Sequence, residues 1–238
     1  MLALTEEAQN RIKEEIRGKD RRVLLGVTGG VASGKTTACR MLEELGARTI
    51  DFDVLSRVVV QPGKPAWKEV VAYFGERVLL QDKTLDREKL SEIVFRDPEK
   101  RKKLEEFIHP RIYEEFNRLV REYAAKDPEV IIQVAVPLLI EANLQYLFHK
   151  ILLVYIPAER QIERLMERDH ISREMALKIL NSQLPIEEKR SYADFIVDNS
   201  ASSEETRRQV RQIWEKLKRF QRENRKARGA RRKGEQRT

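Results

Sequence analysis

Eight consecutive residues, Gly29, Gly30, Val31, Ala32, Ser33, Gly34, Lys35 and Thr36, fit the pattern G-x-x-x-x-G-K-[ST]. Glycine lets the backbone turn its N–H groups inward around a phosphate. A helix opening near Lys35 adds the positive end of its dipole. Lys35 can reach β- and γ-phosphoryl oxygens, Thr36 can offer its hydroxyl to Mg²⁺, and Thr37 can contact an α-phosphate. Such a loop holds a nucleotide but does not specify its fate. No Asn-Lys-x-Asp segment for reading guanine is present, and the further signatures of a motor ATPase are missing. Transfer of the γ-phosphoryl group of ATP to a small hydroxyl acceptor is the expected reaction class.

Asp51-Phe52-Asp53 supplies acids for such a transfer. The triplet follows a short strand, and in a parallel sheet that end lies on the same rim as the phosphate loop. Alternation along an extended segment predicts that Asp51 and Asp53 share one side, with Phe52 opposite. Two carboxylates beside a triphosphate can divide two tasks, orienting Mg²⁺-bound water and accepting the proton of an attacking hydroxyl. A helix cap at Asp53 is the structural alternative. Arg160, Arg164 and Arg168 recur every four residues, on one helical face, where a lid cation can stabilise charge on the transferring group. Glu159, Glu163 and Glu167 recur at the same interval, so an exposed, salt-bridged helix fits the spacing equally. His109, His149, His170 and Cys39 show no metal-ligand spacing, and His109 before Pro110 reads as a helix kink or break with a satisfied imidazole.

The elements that position these residues alternate in type. Apolar, β-branched runs at 22–28, 48–51, 130–136, 151–156 and 195–197 predict strands, and helical spacing predicts helices at 5–17, 35–45, 65–74, 98–125, 158–169 and from 203 onward. Asp86 and Ser172 read as N-caps, and Pro98 stands at a first helical position. Strands alternating with helices imply an α/β fold with a parallel sheet covered on both faces. The helix-rich stretch between the second and third strands suggests an inserted lobe.

The chain has 238 residues and a net charge of +8, unevenly spread. Residues 207–238 hold fourteen Lys or Arg against three Glu, leaving the remainder slightly acidic. That basic end can contact a polyanion or an anionic lipid surface, or form a solvated helix. A single cysteine, Cys39, excludes an intramolecular disulfide framework and suits a reducing cytoplasm. The most apolar stretch, 130–140, is too short to span a bilayer.

With these residues in view, the chain is similar to the dephospho-CoA kinase family. The likeness runs from Val23 to Ser200 and rests on an ordered series of pieces. These are Gly-Val-Thr-Gly-Gly from Gly26, the phosphate loop, Ile-Asp-Phe-Asp-Val-Leu-Ser-Arg from Ile50, Val-Gln-Pro-Gly from Val60, and Leu-Asp-Arg from Leu85. Further on stand Ile-His-Pro from Ile108, Val-Pro-Leu-Leu-Ile-Glu from Val136, the segment 161–169, Ala193-Asp194 and Asp198-Asn199.

The resemblance implies ATP-dependent phosphorylation of the ribose 3′-hydroxyl of dephospho-CoA. It implies a three-layer P-loop α/β/α fold with a five-stranded parallel core at 22–56, 129–156 and 190–203. An acceptor-binding helical lobe at 57–128 and a helical lid at 157–189 would complete the domain. Residues 1–21 and 204–238 would then be a helical extension and a basic helical tail. Carried over residue by residue, Asp53 is the expected base, with Asp51 assisting or holding Mg²⁺ through water. Arg57 contacts the acceptor, Arg164 is the lid arginine, and Arg87, His109 and Glu141 line the acceptor lobe. Phe52 stands where the family usually has alanine, and Ala135 where it commonly has an acid, which leaves Asp51 to compensate. Ala32 replaces a frequent glycine, a change expected to cost little at negative φ.

Overall fold

The computed structural model describes residues 21–235, so the expected helix at 5–17 lies outside the described residues. The chain divides into two compact units, with boundaries at Ile50/Asp51 and Arg121/Glu122.

The larger unit is built on a five-stranded parallel sheet. Its strands are β1 (Val23–Gly29), β2 (Arg48–Asp51), β3 (Ile131–Ala135), β4 (Lys150–Tyr155) and β5 (Phe195–Asp198), in the order β2-β3-β1-β4-β5. β1 lies at the centre, pairing with β3 from Val23↔Ile131 to Val27↔Ala135 and with β4 from Leu25↔Lys150 to Gly29↔Val154. Every residue of β1 and β3 is buried. A strand hidden on both faces reads as a continuous apolar run rather than an alternation, which is the texture of 22–28 and 130–136.

One sheet face is covered by α1 (Lys35–Glu44) and by α9 (Ser203–Glu235). Val23, Leu25, Val27, Ile131, Leu152, Val154 and Val197 meet Ala38, Met41 and Leu42 from α1 there. Val210, Ile213, Trp214 and Leu217 come from α9. The tail expected to begin at 204, outside the kinase domain, is therefore core over its first half. Its apolar stripe at helical spacing closes the sheet, and only the later residues are predominantly basic. On the opposite face Gly26 is approached so closely that a Cβ would come within 2.8 Å of Leu139 and Phe148 side chains.

The smaller unit is helical. It holds α2 (Phe52–Val58), α3 (Pro65–Phe74), α4 (Arg87–Arg96) and most of α5 (Pro98–Lys126). Val59, Val60, Ala66, Val70, Phe74, Val78, Leu85 and Leu90 form its core. The capping expectations hold: Asp86 accepts the Lys89 N–H at 3.0 Å, and Asp97, preceding Pro98, accepts from Glu99 and Lys100 at 3.1 Å each. Of the kink or break expected at His109-Pro110, the break does not occur: α5 runs through Pro110 for 29 residues. Burial of Phe116 and Val120 on the same helix outweighs the one backbone hydrogen bond that proline forgoes. The unit spans 51–121 where 57–128 was expected, because α2 starts directly at the strand end.

In the larger unit, α6 (Ala158–Asp169) and α7 (Arg173–Asn181) lie within the range 157–189 expected to be a lid, and α8 (Ile186–Lys189) returns the chain to the sheet. Ser172 caps α7 through the Met175 N–H at 3.3 Å. Ile162, Leu165 and Ala176 pack together and against Val31 and Ala32 of the phosphate loop.

Leu217 has no exposed surface, so Leu217→Ala should lower unfolding free energy by about 2–5 kcal/mol. Urea denaturation followed by circular dichroism measures this. An unchanged midpoint would show that α9 adds nothing to the core.

Candidate active site

β1 ends at Gly29, and α1 begins at Lys35, so residues 30–34 form the turn between a central strand and a helix. Gly34 is the N-cap of α1 at φ 86°, no side chain caps the helix, and its first turn carries no acid. A helix opening in this way presents its free N–H groups to an anion. Lys35 lies in the first turn, with Thr36 and Thr37 exposed beside it. These features fit a nucleotide's phosphates, and Thr36 fits a Mg²⁺ held against them.

The loop's shape is held from outside. Asn199, just past β5, donates from Nδ2 to the Ser33 carbonyl at 2.8 Å. Its Oδ1 accepts from the Thr206 hydroxyl at 2.9 Å, and its own N–H donates to the Tyr155 carbonyl at 2.8 Å. Gln161 on α6 is buried and donates to the Ile156 carbonyl, with its amide oxygen aimed at Gly30. A Cβ on Gly30 would overlap that carboxamide, and one on Gly34 would overlap Asn199. Glycine is needed at both positions because neighbouring amides occupy the space. Gln183, beyond α7, accepts the Val31 N–H at 3.2 Å.

Ala32 stands at φ 55°, not at the negative φ expected for it. A left-handed alanine costs about 1–2 kcal/mol. Its methyl packs against the lid cluster of Ile162, Leu165 and Ala176, which offsets part of that cost and which glycine would forgo.

The structure separates the three lid arginines. Arg160 pairs with Glu163 at 3.1 Å and Arg168 with Asp169 at 2.7 Å, both at the surface. Arg164 instead donates to the Asn199 carbonyl at 2.9 Å, and its guanidinium lies 3.9 Å from the Cβ position of Gly34. The salt-bridged reading is right for the outer two, and Arg164 alone stands at the phosphate loop.

Asp51 and Asp53 are not two residues of one extended strand. β2 ends at Asp51, and Phe52 and Asp53 are already helical, so alternation does not apply to them. The N-cap of α2 is Asp51, not Asp53: its Oδ1 accepts the N–H of Asp53 at 2.8 Å and of Val54 at 3.4 Å. Asp53 is exposed in the first turn, four residues before Arg57 and hence on the same helical face. Phe52 packs edge-on against Phe116, ring centroids 5.2 Å apart, within the helical unit.

Arg57 and Arg87 approach each other in the same unit, and Arg87 donates to the Ser56 carbonyl at 3.4 Å. Burial, then the like charge of Arg57, presses the pKa of Arg87 downward. A guanidinium stays protonated regardless, so an anion between the two would relieve both penalties. His109 is held below its ordinary 6.5, chiefly by burial and against the attraction of Glu105. Glu141, after β3, belongs to the larger unit. Its Oε1 lies 2.7 Å from Lys189 Nζ and accepts the Leu184 N–H at 3.1 Å. Ala135 is buried in the sheet core.

Other polar residues have structural tasks. His149 Nδ1 accepts the Leu24 N–H at 2.9 Å, and Asp194 ties the start of β5 to Lys150 and the Ile151 N–H. Among the described residues no group of three acids, histidines or cysteines is arranged to hold a metal, and no helix is long and apolar enough to cross a membrane. Gln161, Gln183, Lys189 and Asn199 were absent from the expected site. Gln161 and Asn199 do fall within the pieces 161–169 and Asp198-Asn199 that carry the family likeness, whereas Gln183 and Lys189 stand in none of them.

A parallel sheet with a phosphate loop at the end of its central strand, a lid arginine beside it and an inserted helical unit defines a P-loop kinase. The family model described as dephospho-CoA kinase matches residues 23–205. Dephospho-CoA kinases of Syntrophus aciditrophicus and Geobacter metallireducens are 44% and 45% identical to it. They are matched over 85% and 81% of this chain and 86% and 95% of their own. A crystal structure from Thermus thermophilus aligns at TM-score 0.71 and 30% identity, over 82% of this chain and 98% of the other. Dephospho-CoA kinase from Campylobacter jejuni aligns at 0.61 and 29%, over 82% and 97%. The chain belongs to the dephospho-CoA kinase family.

The depressed pKa of His109 sets a pH dependence. Below the unfolded value near 6.5 the unfolded chain takes up a proton that the folded imidazole resists. Stability should therefore fall as pH drops through that range. Chemical denaturation between pH 7.5 and 5.5 should show this slope reduced in His109→Gln. Identical slopes would remove His109 as its source.

Proposed function

We propose that this protein transfers the γ-phosphoryl group of ATP to the ribose 3′-hydroxyl of dephospho-CoA, giving CoA and ADP in the final step of coenzyme A synthesis. The carrying observation is the uncapped opening of α1 at Gly34, with Arg164 turned toward it, in a chain of this family. Backbone N–H groups of the loop and Lys35 bind the β- and γ-phosphates, and Thr37 assists at the α-phosphate. We assign Mg²⁺ to Thr36, whose hydroxyl would hold it; when bound it would supply neutralising charge at the nucleotide's phosphates.

Asp53 is the base in this reading. Its carboxylate is exposed, while Asp51 has already committed one oxygen to capping α2, leaving the other to orient a metal-bound water. Asp53 accepts the proton of the 3′-hydroxyl as that oxygen bonds to the γ-phosphorus. The bond from the γ-phosphorus to the bridging oxygen breaks, and ADP leaves. Arg164 stabilises the charge on the transferring group. Arg57 and Arg87 suit the acceptor's pyrophosphate, since two close guanidinium groups match two adjacent anionic phosphoryls. His109, neutral at pH 7, can give the acceptor a hydrogen bond rather than a charge. Cytoplasmic residence accords with the lone buried Cys39.

Two measurements test this. A coupled ADP assay should show turnover with dephospho-CoA and only background with ATP alone; preference for a nucleoside monophosphate over dephospho-CoA would overturn the assignment. Asp53→Asn should lower kcat by roughly 10²–10⁴ while KM for ATP stays within about threefold, because a base acts in the transition state. A variant altered only in KM for ATP would make Asp53 a positioning residue.

A further inference from the structure

The lid's return segment is anchored more firmly than its surface position requires. Lys189 has no exposed surface, and its ammonium lies 2.7 Å from Glu141 Oε1. That same oxygen accepts the Leu184 N–H at 3.1 Å, and Glu141 Oε2 is buried without a partner. A buried ion pair rarely stabilises a fold over an apolar pair of equal volume, whereas it can fix the register of two segments. The residue next to Leu184 is Gln183, whose carboxamide oxygen accepts the N–H of Val31 at 3.2 Å. One uninterrupted path thus joins a buried charge pair to an amide of the phosphate loop.

We propose that Gln183 is a positioning residue for nucleotide binding, and that the Glu141–Lys189 pair serves to hold it against the loop. Val31 sits between Gly30, over which Gln161 closes, and Ala32, and its own N–H is taken by Gln183. With Gln183 in place, the N–H of Val31 is satisfied and the loop waits in its binding shape. Without it the loop must pay for that shape when phosphate arrives, in the ground state and the transition state alike. Nucleotide affinity should then suffer while the chemical step is spared. Glu141 would act through the nucleotide loop, a role other than the lining of the acceptor lobe to which the family likeness assigned it.

The proposal rests on the nucleotide-binding reading of the loop, and the ADP affinity of the unaltered protein, measured by calorimetry, checks that reading separately. In Gln183→Ala, losing one neutral hydrogen bond should raise Kd for ADP and KM for ATP about fivefold to tenfold, with kcat within about threefold and Tm nearly unchanged. Lys189→Met takes from Glu141 its cationic partner and should weaken nucleotide binding in the same direction. The double variant Glu141→Gln/Lys189→Met removes the pair without leaving a lone charge, so it too should weaken ADP binding, by about threefold or more. Should Lys189→Met fail to fold, the double variant still decides. Unchanged ADP affinity in Gln183→Ala, or a double variant that binds ADP as tightly as the parent, overturns the proposal.

Discussion

The structure turns on a backbone that must curve around an anion and therefore cannot hold itself in shape. A loop whose N–H groups face a phosphate leaves them without acceptors when no phosphate is bound, and glycine gives it no side chain with which to brace. The bracing comes from elsewhere in the larger unit. Asn199 after β5 ties down the Ser33 carbonyl, Gln161 on α6 closes over Gly30, and Gln183 takes the Val31 N–H. Amides suit the task because they are polar without being charged. A carboxylate in any of these places would repel the ligand.

This constraint explains the sheet order. With β1 central, its carboxyl end is flanked by β3 on one side and β4 on the other. Segments leaving β4 and β5 therefore arrive at the loop, bringing the lid and Asn199 with them. The same constraint explains why α9 belongs to the core. Trp214 and Leu217 cover the strands that carry these segments, and Thr206 at the start of the helix orients Asn199 itself.

Much of this was legible in the sequence where local pattern decides the outcome. Strand, glycine-rich turn and helix follow one another around 23–44 just as composition indicates, and the caps at Asp86, Asp97 and Ser172 use side chains within three residues of their partners. Asp51 shows where legibility ends. Phe52 is apolar enough to continue a strand, and only its contact with Phe116, 64 positions further along, draws it into a helix and makes Asp51 the cap. Arg164 likewise matched its neighbours at 160 and 168 in type and spacing. What distinguishes it is a carbonyl on a distant loop. Gln161, Gln183 and Asn199 carry no charge and form no motif by themselves, so their roles follow from tertiary placement alone. The path through Pro110 and the left-handed Ala32 were misjudged for the same reason, since packing outweighed local preference at both.

The most direct test is a crystal structure with a non-hydrolysable ATP analogue and dephospho-CoA bound together. The account predicts the β-phosphate within hydrogen-bond reach of the N–H groups opening α1, and the ribose 3′-hydroxyl about 2.6–3.2 Å from a carboxylate oxygen of Asp53. A nucleotide seated away from the loop, or a 3′-hydroxyl with neither Asp53 nor Asp51 beside it, would contradict it.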